Sequence, residues 1–463
     1  YERLVELSLF PRGTGGPSQK ETAFRYIEEA KSRSLADQIS FRAHLLPARR
    51  SVNVRAVERV HRLREELHFV ERRMALSEAA PGSEKVRHDL RSRARAIEAG
   101  LSRELTRLRG REDEFRALQN AGTLPLRDVR EALDASTTLL EYYQVGGRFL
   151  ACVLDRTGLE IVPLGAVSAV RERFSLLQFQ LSKFRLGKEY VEAFAESLHR
   201  AALTHLSALY ELLVLPVRRA LKGRRLVIVP HGFLHYIPFH ALFDGALYLS
   251  EEFAVSYAPS ASVYGWCAGK PARYAEESLV LGVPDAATPH IRAEVRAVAA
   301  LLPNPRLFLG ARATAAQLRK HGRRARYVHI ATHGLFRQDN PMFSSVRLGS
   351  SDLSLFDLYG LELPAELVTL SGCGTGLNVV VGGDELLGLV RGLLYAGAHA
   401  VLGTLWDVND ESTSTFMRLF YERARRTPDR AEALREAMAA LRESHPHPYH
   451  WAPFVLIGHA AGA

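Results

Sequence analysis

The sequence is organised around the segment YVHIATHG at residues 327–334. Strand-forming residues dominate the segment, which ends at His333 followed by a glycine. A second segment, VTLSGCGTG at residues 368–376, has the same form and presents Cys373 between two glycines. Both side chains follow a predicted strand, at the end where α/β proteins hold their chemistry. An imidazole and a thiol in such positions are the two groups that a cysteine nucleophile requires.

The region from residue 225 onward alternates between apolar runs and amphipathic segments, which predicts a mostly parallel six-stranded sheet with helices on both faces. This α/β region is assigned to residues 223–463, and both reactive side chains fall at the carboxyl edge of its sheet. The predicted strands cover 226–229, 279–283, 327–331, 366–370, 399–403 and 454–457, and the predicted helices cover 291–302, 313–320, 384–396, 410–426 and 429–443.

The first half of the chain has a different pattern. Residues 1–122 are predicted to be helical, with apolar residues in steps of three and four from 60 to 74 and from 90 to 108. A Pro-Gly-Ser turn at 81–83 separates these two seams, which indicates an antiparallel helical hairpin. Residues 123–222 form a third region, with a meander of short strands followed by long helices at about 166–184 and 190–215.

Composition narrows the class of protein. The 463 residues are 47% hydrophobic and 24% charged, which is ordinary for a globular chain. Much of the excess behind the net charge of +10 lies in the first half of the chain, for example at 87–95, where arginines alternate with apolar and acidic residues and no aromatic residues are present to stack bases. This favours a solvated helix face, which could meet an acidic protein partner, over a nucleic-acid surface.

No segment reaches the roughly 18 to 20 apolar residues of a membrane helix, and no signal peptide is visible after Tyr1. A start at Tyr rather than Met suggests a fragment or a processed product. Three widely spaced cysteines give neither a disulfide framework nor a zinc site. We therefore expect a cytoplasmic protein without a metal, a cofactor or a membrane contact.

The glycines around Cys373 have a competing interpretation, because they are similar to the first motif of AdoMet-dependent methyltransferases. That motif requires a helix directly after the glycines and an acidic residue about 20 positions on. Here the glycines lead into LNVVVGG at 377–383, and no carboxylate occurs at 395–397. A dinucleotide fingerprint fails in the same way, since Leu377 replaces its third glycine. The glycines instead suit a nucleophile that a substrate backbone approaches closely.

In the nucleophile interpretation, His333 moves the proton from the thiol to the leaving amine. The N–H groups of Gly334 and Cys373 bind the oxygen of the tetrahedral intermediate. A thiol needs no buried carboxylate as a third member beside an imidazolium. Structural roles are expected for the other candidate side chains, namely His329 within its strand, Cys152, Cys267, His231, His235 and His399.

The chain resembles the CHAT peptidases, relatives of caspases and separases that usually follow tetratricopeptide repeats. The resemblance covers most of the chain from about residue 125. It rests on the ordered blocks LVIVPHG at 226–232, IPFHAL at 237–242, YAPS at 257–260, HIATHG at 329–334, LSGC at 370–373, AGAHAV at 396–401, LWDV at 405–408 and YHWAPF at 449–454. The segment FRYIEEAKSR at 24–33 resembles the family's last helix after the repeats, while the repeats themselves are either absent or cut away from this sequence.

This resemblance implies a caspase-like sheet, a catalytic dyad of His333 and Cys373, and an oxyanion donor at Gly334. It also bears on specificity, because separases and related members select a basic residue with carboxylates, whereas caspases select aspartate with arginines. Cleavage after Arg or Lys is therefore predicted. The pocket candidates are Asp384 and Glu385 after the glycine loop, and Asp407 and Asp410 after the following strand. The competing role of Asp410 is to stabilise the amino end of the next helix.

The sequence thus predicts a cysteine endopeptidase that acts on protein partners through an acyl-thioester. Its helical N-terminal region is the expected contact for a protein regulator. Two alternatives stay open at this point, a catalytically inactive scaffold of the same fold and an AdoMet-dependent methyltransferase.

Overall fold

The computed structural model describes residues 1–9, 17–40, 63, 66, 70, 89–97, 99–100, 123–272, 274–286, 288–335, 345–349, 352–354, 357–358, 361–372, 385–406, 408 and 410–460. It does not describe the side chains of 17–18, 32–40, 335 and 385–388. Cys373, Asp384, Asp407 and the side chain of Glu385 therefore lie outside the described residues. The chain forms two compact units, Tyr1–Lys31 with Thr123–Ala463 and Ser32–Gly122.

The larger unit is built on a sheet of strands that are numbered here in chain order. They are β1 (Thr137–Val145), β2 (Arg148–Leu154), β3 (Leu159–Ala166), β4 (Arg225–Val229), β5 (Ala254–Tyr257), β6 (Ala275–Gly282), β7 (Pro305–Leu309), β8 (Ala325–Ala331), β12 (Leu367–Ser371), β13 (Ala400–Thr404) and β14 (Phe454–Gly458). A separate small sheet contains β9 (Gly334–Leu335), β10 (Ser345–Arg347) and β11 (Asp352–Ser354).

The order in the large sheet is β3-β2-β1-β4-β5-β14-β13-β12-β8-β6-β7. Strands β13, β12, β8, β6 and β7 are mutually parallel, so their carboxyl ends share one edge. Strand β14 is antiparallel to β13 and parallel to β5. Since Ser371 pairs with Ala331, β12 and β8 end level with each other at this edge.

The predicted α/β class is confirmed, but the predicted strand count of six is wrong. All six predicted strands are present, and five more belong to the same sheet. The meander β1–β3 joins it because β1 pairs in parallel with β4, for example Leu139 with Val227. Strand β5 has only four residues, and β7 begins with Pro305 at the sheet edge, where a missing N–H is tolerated.

Helices cover the sheet, and those between its parallel strands follow the predicted segments to within a few residues. They are α1 (Glu2–Leu9), α2 (Pro17–Ser40), α3 (Leu126–Ala132), α4 (Val167–Ser182), α5 (Lys188–Ala193), α6 (Ala195–Leu213), α7 (Leu249–Glu252), α8 (Ala261–Ala268), α9 (Ile291–Leu301), α10 (Ala315–His321), α11 (Glu385–Ala396), α12 (Asp410–Ala424), α13 (Arg430–Ser444) and α14 (Pro448–Trp451).

The first 31 residues share a core with the sheet. Phe24 and Ile27 of α2 are buried in one cluster with Leu139 of β1. The ammonium of Lys31 lies 2.9 Å from the buried carboxylate of Glu141, also on β1. The predicted domain boundaries at residues 122 and 222 stay predictions, and one sheet includes strands on both sides of residue 222.

In the smaller unit, residues 63, 66, 70, 89–97 and 99–100 are helical. The side chain of Leu63 lies against Gly100. Val70, Leu90, Ala94 and Ile97 are buried. The helical hairpin stays a prediction, and its predicted turn at 81–83 lies outside the described residues.

Candidate active site

His333 lies two residues beyond the last residue of β8, at the carboxyl edge of the parallel strands. Its side chain is 28% exposed, so a substrate can reach it from solvent. The Nε2 atom lies 3.1 Å from Oδ2 of Asp285 and 3.2 Å from the hydroxyl of Thr288. The imidazole is thus held against a carboxylate through one ring nitrogen.

Asp285 is a site residue that the sequence interpretation missed. It follows β6, the sheet neighbour of β8, by three residues, and the Val283 N–H donates to the carbonyl of Ala331 at 2.9 Å. The Oδ1 atom of Asp285 accepts hydrogen bonds from the backbone N–H of Thr288 at 3.1 Å and from its hydroxyl at 3.0 Å. A guanidinium nitrogen of Arg347 lies 3.4 Å from Oδ2. These contacts fix the carboxylate in front of His333.

The segment before Cys373 runs beside the segment that holds His333. The Thr332 N–H donates to the Ser371 carbonyl at 2.8 Å. A Cβ atom at Gly372 would lie 2.1 Å from the carbonyl oxygen of Thr332, far inside contact distance. Gly372 is therefore required for the close approach of two backbones, whereas the sequence suggested that it admits substrate. Cys373, the next residue, lies outside the described residues.

Gly334 is oriented by the small sheet. The Arg347 N–H donates to the His333 carbonyl at 2.9 Å, so Gly334 and Val346 form the non-hydrogen-bonded pair of the β9–β10 ladder. The Gly334 N–H consequently points away from β10. A Cβ at Gly372 would lie 4.0 Å from that nitrogen, which places the Gly334 N–H beside the segment that leads to Cys373.

Of the four predicted pocket carboxylates, the structure describes Asp410 in full. It begins α12, and its Oδ2 accepts a hydrogen bond of 2.7 Å from the N–H of His290. Burial raises the pKa of the Asp410 carboxyl, and His333 is among the nearby groups that act to lower it. Asp410 therefore lies at the same edge as His333 and also joins the beginnings of α12 and α9.

The histidine within β8 has the structural role that was expected. His329 is fully buried, with Nε2 2.9 Å from a Glu294 carboxylate oxygen and Nδ1 3.3 Å from the Tyr421 hydroxyl. Cys152 and Cys267 are buried free thiols, and burial raises the pKa of both. Neither thiol is therefore set up to react as a nucleophile.

No helix in the described part of the chain is long and apolar enough to cross a bilayer.

A CHAT domain family model matches residues 203–459, more than half of the chain. The chain belongs to the CHAT family. Tetratricopeptide repeat protein 28 of Homo sapiens is 28% identical over 323 residues, which cover 55% of this CHAT chain and 13% of that protein. The Mus musculus protein of the same name matches to the same extent. The CHAT chain therefore spans only a small part of these curated relatives.

Among solved structures, a chain of the Saccharomyces cerevisiae separase-securin complex at 2.6 Å resolution superposes with a TM-score of 0.55 and 11% identity. The match covers 96% of the CHAT chain and 40% of that chain. At this level of identity the likeness concerns the fold, which is of the separase and caspase type. The predicted resemblance to the CHAT family is confirmed.

Proposed function

We propose that this CHAT protein is a cysteine endopeptidase with His333 and Cys373 as its catalytic pair. The observation that carries the proposal is the meeting of two backbone segments at one sheet edge. One segment carries His333, whose imidazole contacts the carboxylate of Asp285. The other segment ends at Gly372, and the next residue in the chain is Cys373. No other thiol suits the role, since Cys152 and Cys267 are buried.

The chemistry follows from these positions. Asp285 holds Nε2 of His333, so Nδ1 is the ring atom that takes the proton of the Cys373 thiol. The thiolate attacks the scissile carbonyl, and the Gly334 N–H donates to the oxygen that becomes negative. The imidazolium then protonates the leaving amine, which leaves an acyl-thioester. A water molecule, deprotonated by the same imidazole, hydrolyses the thioester and restores the thiol.

The substrate is proposed to be a protein with Arg or Lys before the scissile bond. Asp410 supports this preference, because its carboxylate lies at the edge that carries His333. Asp384, Glu385 and Asp407 stay candidates for the same pocket. Peptides that differ only in this residue test the preference, together with Asp410→Asn, which keeps an acceptor for the His290 N–H. Faster cleavage after Asp or an apolar residue would refute it.

Regulation by a protein partner through the helical N-terminal region is part of the proposal. Its support is the shared core of residues 1–31 and β1, which lets a change at α2 reach the sheet directly. The relatives named for tetratricopeptide repeats are consistent with a protein-binding region. We place the activity in the cytoplasm, where the buried thiols of Cys152 and Cys267 stay reduced.

The decisive experiment is covalent labelling with a peptidyl chloromethylketone that carries Arg next to the reactive group. Labelling should be lost in Cys373→Ala and His333→Ala and retained in Cys152→Ala, the matched control. A folded protein that stays unlabelled would instead support the inactive scaffold. Labelling that survives in Cys373→Ala would show that another residue is the nucleophile.

A further inference from the structure

A cavity lies at the other edge of the parallel strands, away from the candidate active site. Its volume is about 470 Å³, within the range of small-molecule sites. Its walls are formed by the end of α9, the first residues of β8, and the segment 421–430, which begins in the last turn of α12. Arg326 in its wall is seven residues from His333 along an extended strand, so about 20 Å separates the cavity from that imidazole.

The walls of this cavity, called here the arginine cavity, combine positive charge with an apolar surface. Four arginines line it, namely Arg326, Arg425, Arg426 and Arg430, and no carboxylate does so among the described residues. The remaining walls include Leu301, Leu302, Pro303, Tyr327 and Tyr421. An anion that also presents an apolar or flat group would be complementary to both parts.

Two of the arginines are fixed by a buried carboxylate. Glu366 is 2% exposed and accepts hydrogen bonds of 2.6 Å from Nε of Arg326 and of Arg430. The Tyr327 hydroxyl accepts a further bond of 2.6 Å from Arg430. This cluster makes a rigid wall, because each guanidinium is held in one orientation.

The other two arginines are available to a ligand. Arg425 and Arg426 are exposed, and within the part of the chain that the structure describes neither has a carboxylate partner. The tandem pair Arg323–Arg324 nearby differs in this respect, since it meets Glu362 at 3.3 Å and Glu277 at 3.0 Å. A helix dipole explains cations at the end of α12, but it does not explain why they border a cavity that no carboxylate lines among the described residues.

We propose that the arginine cavity binds a small phosphate-bearing organic anion of nucleotide size. Arg425 and Arg426 donate charge-assisted, bidentate hydrogen bonds to the phosphates, which planar guanidinium groups suit well. The apolar part of the ligand lies against Leu301 and the tyrosines. The site is independent of the proposed peptidase, since it shares no residue with it.

Calorimetric titration of the wild-type chain at low salt tests the proposal with ATP, pyrophosphate and adenosine, all without metal ions. ATP and pyrophosphate should each bind at one site per chain with a Kd at or below about 1 mM, and adenosine should not bind. The double variant Arg425→Gln/Arg426→Gln should weaken ATP binding at least about tenfold. The control Arg323→Gln/Arg324→Gln removes the same charge from two adjacent arginines that already have carboxylate partners, so it should leave the affinity for ATP unchanged.

A second variant separates the cavity from its charge. Ala300→Trp replaces an exposed residue of the wall, so the fold should persist while the cavity is filled and ATP binding is lost. The proposal is overturned if neither anion binds, if several weak sites persist in Arg425→Gln/Arg426→Gln, or if ATP binds Ala300→Trp as it binds the wild type. These readouts do not involve Cys373, so they stand apart from the outcome of the labelling experiment.

Discussion

Acidification from pH about 7.5 to about 5.5 should remove much of the free energy of unfolding, because burial holds several histidines neutral, four of which have a pKa of about 3 or 4. Burial lowers the pKa of His240 and His450 to about 4 and that of His231 and His447 to about 3. His240 shows the structural reason. Its Nε2 lies 2.9 Å from the carbonyl of Ala452, which only accepts, so Nδ1 must accept the 2.8 Å hydrogen bond from a tyrosine hydroxyl.

The sign and size of the effect follow from proton linkage. Each pKa is lower in the folded state than the ordinary value near 6.5, so the unfolded chain binds more protons below that pH. The stabilisation is complete above pH 6.5 and is lost as the pH falls toward the folded pKa. At pH 5.5 each histidine loses about 1.4 kcal/mol, and the four together lose about 5 to 6 kcal/mol. That loss is comparable to the total stability of many proteins, about 5 to 15 kcal/mol. Burial raises the pKa of Glu141, so the folded state binds more protons than the unfolded state at this group. Acidification is therefore stabilising at Glu141 and offsets part of the stability lost at the histidines.

Urea unfolding followed by tryptophan fluorescence at several pH values measures the effect, since Trp451 is buried. In His240→Gln the amide keeps a donor for Ala452 and removes one titrating group. As the pH falls, the free energy of unfolding of this variant should decrease less steeply than that of the wild type, and the two slopes should differ by about 1.4 kcal/mol per pH unit. Equal free energies of unfolding at pH 7.5 and 5.5, or a loss that begins only near pH 4 as carboxylates protonate, would refute the reasoning.

Three further substitutions have defined outcomes. Glu366→Gln breaks a buried ion pair and should lower the free energy of unfolding by about 3 to 5 kcal/mol in urea melts. The control Glu362→Gln lies in an exposed pair and should change that free energy by less than about 1 kcal/mol. Equal effects of the two substitutions would contradict this account. Gly372→Ala places a Cβ 2.1 Å from a carbonyl oxygen and should abolish chloromethylketone labelling, while Gly403→Ala, whose Cβ meets no atom within 4 Å, should label normally. Asp285→Asn should slow labelling about 10²-fold with an unchanged urea midpoint, and an unchanged labelling rate would show that Asp285 does not position the imidazole.

The periodicity of the sequence is sufficient to place two strand ends at one edge of the sheet. The predicted strands end at residues 331 and 370, and the structure ends β8 at Ala331 and β12 at Ser371, so the sequence could locate the positions of His333 and Gly372 at one edge. Asp285 could not be located in this way, because it lies 48 residues before His333 and meets it only since β6 and β8 are neighbours in the sheet. Chain order does not reveal that adjacency, as β7 comes between them in sequence. A carboxylate directly after a predicted strand was the available signal.

The same limit applies to the sheet as a whole. Local pattern identified β14 as a strand but not its place between β5 and β13, which depends on partners about 200 and 50 residues away. The contact between Asp410 and the His290 N–H likewise spans 120 residues. Which strands pair over such distances depends on tertiary packing. The alternation of apolar and polar residues along the chain predicts only local secondary structure.

The central position of β14 has a consequence for biosynthesis. This strand is the last of the described strands to leave the ribosome, and it is the one that joins β1–β5 to the parallel strands that carry His333. Until residue 458 has been translated, both halves of the sheet have an unpaired central edge, and exposed strand edges invite pairing with other chains. The nascent protein therefore joins the strands that carry His333 to the strands β1–β5 in one late event. A chain that stops short of β14 has two open edges in place of one sheet.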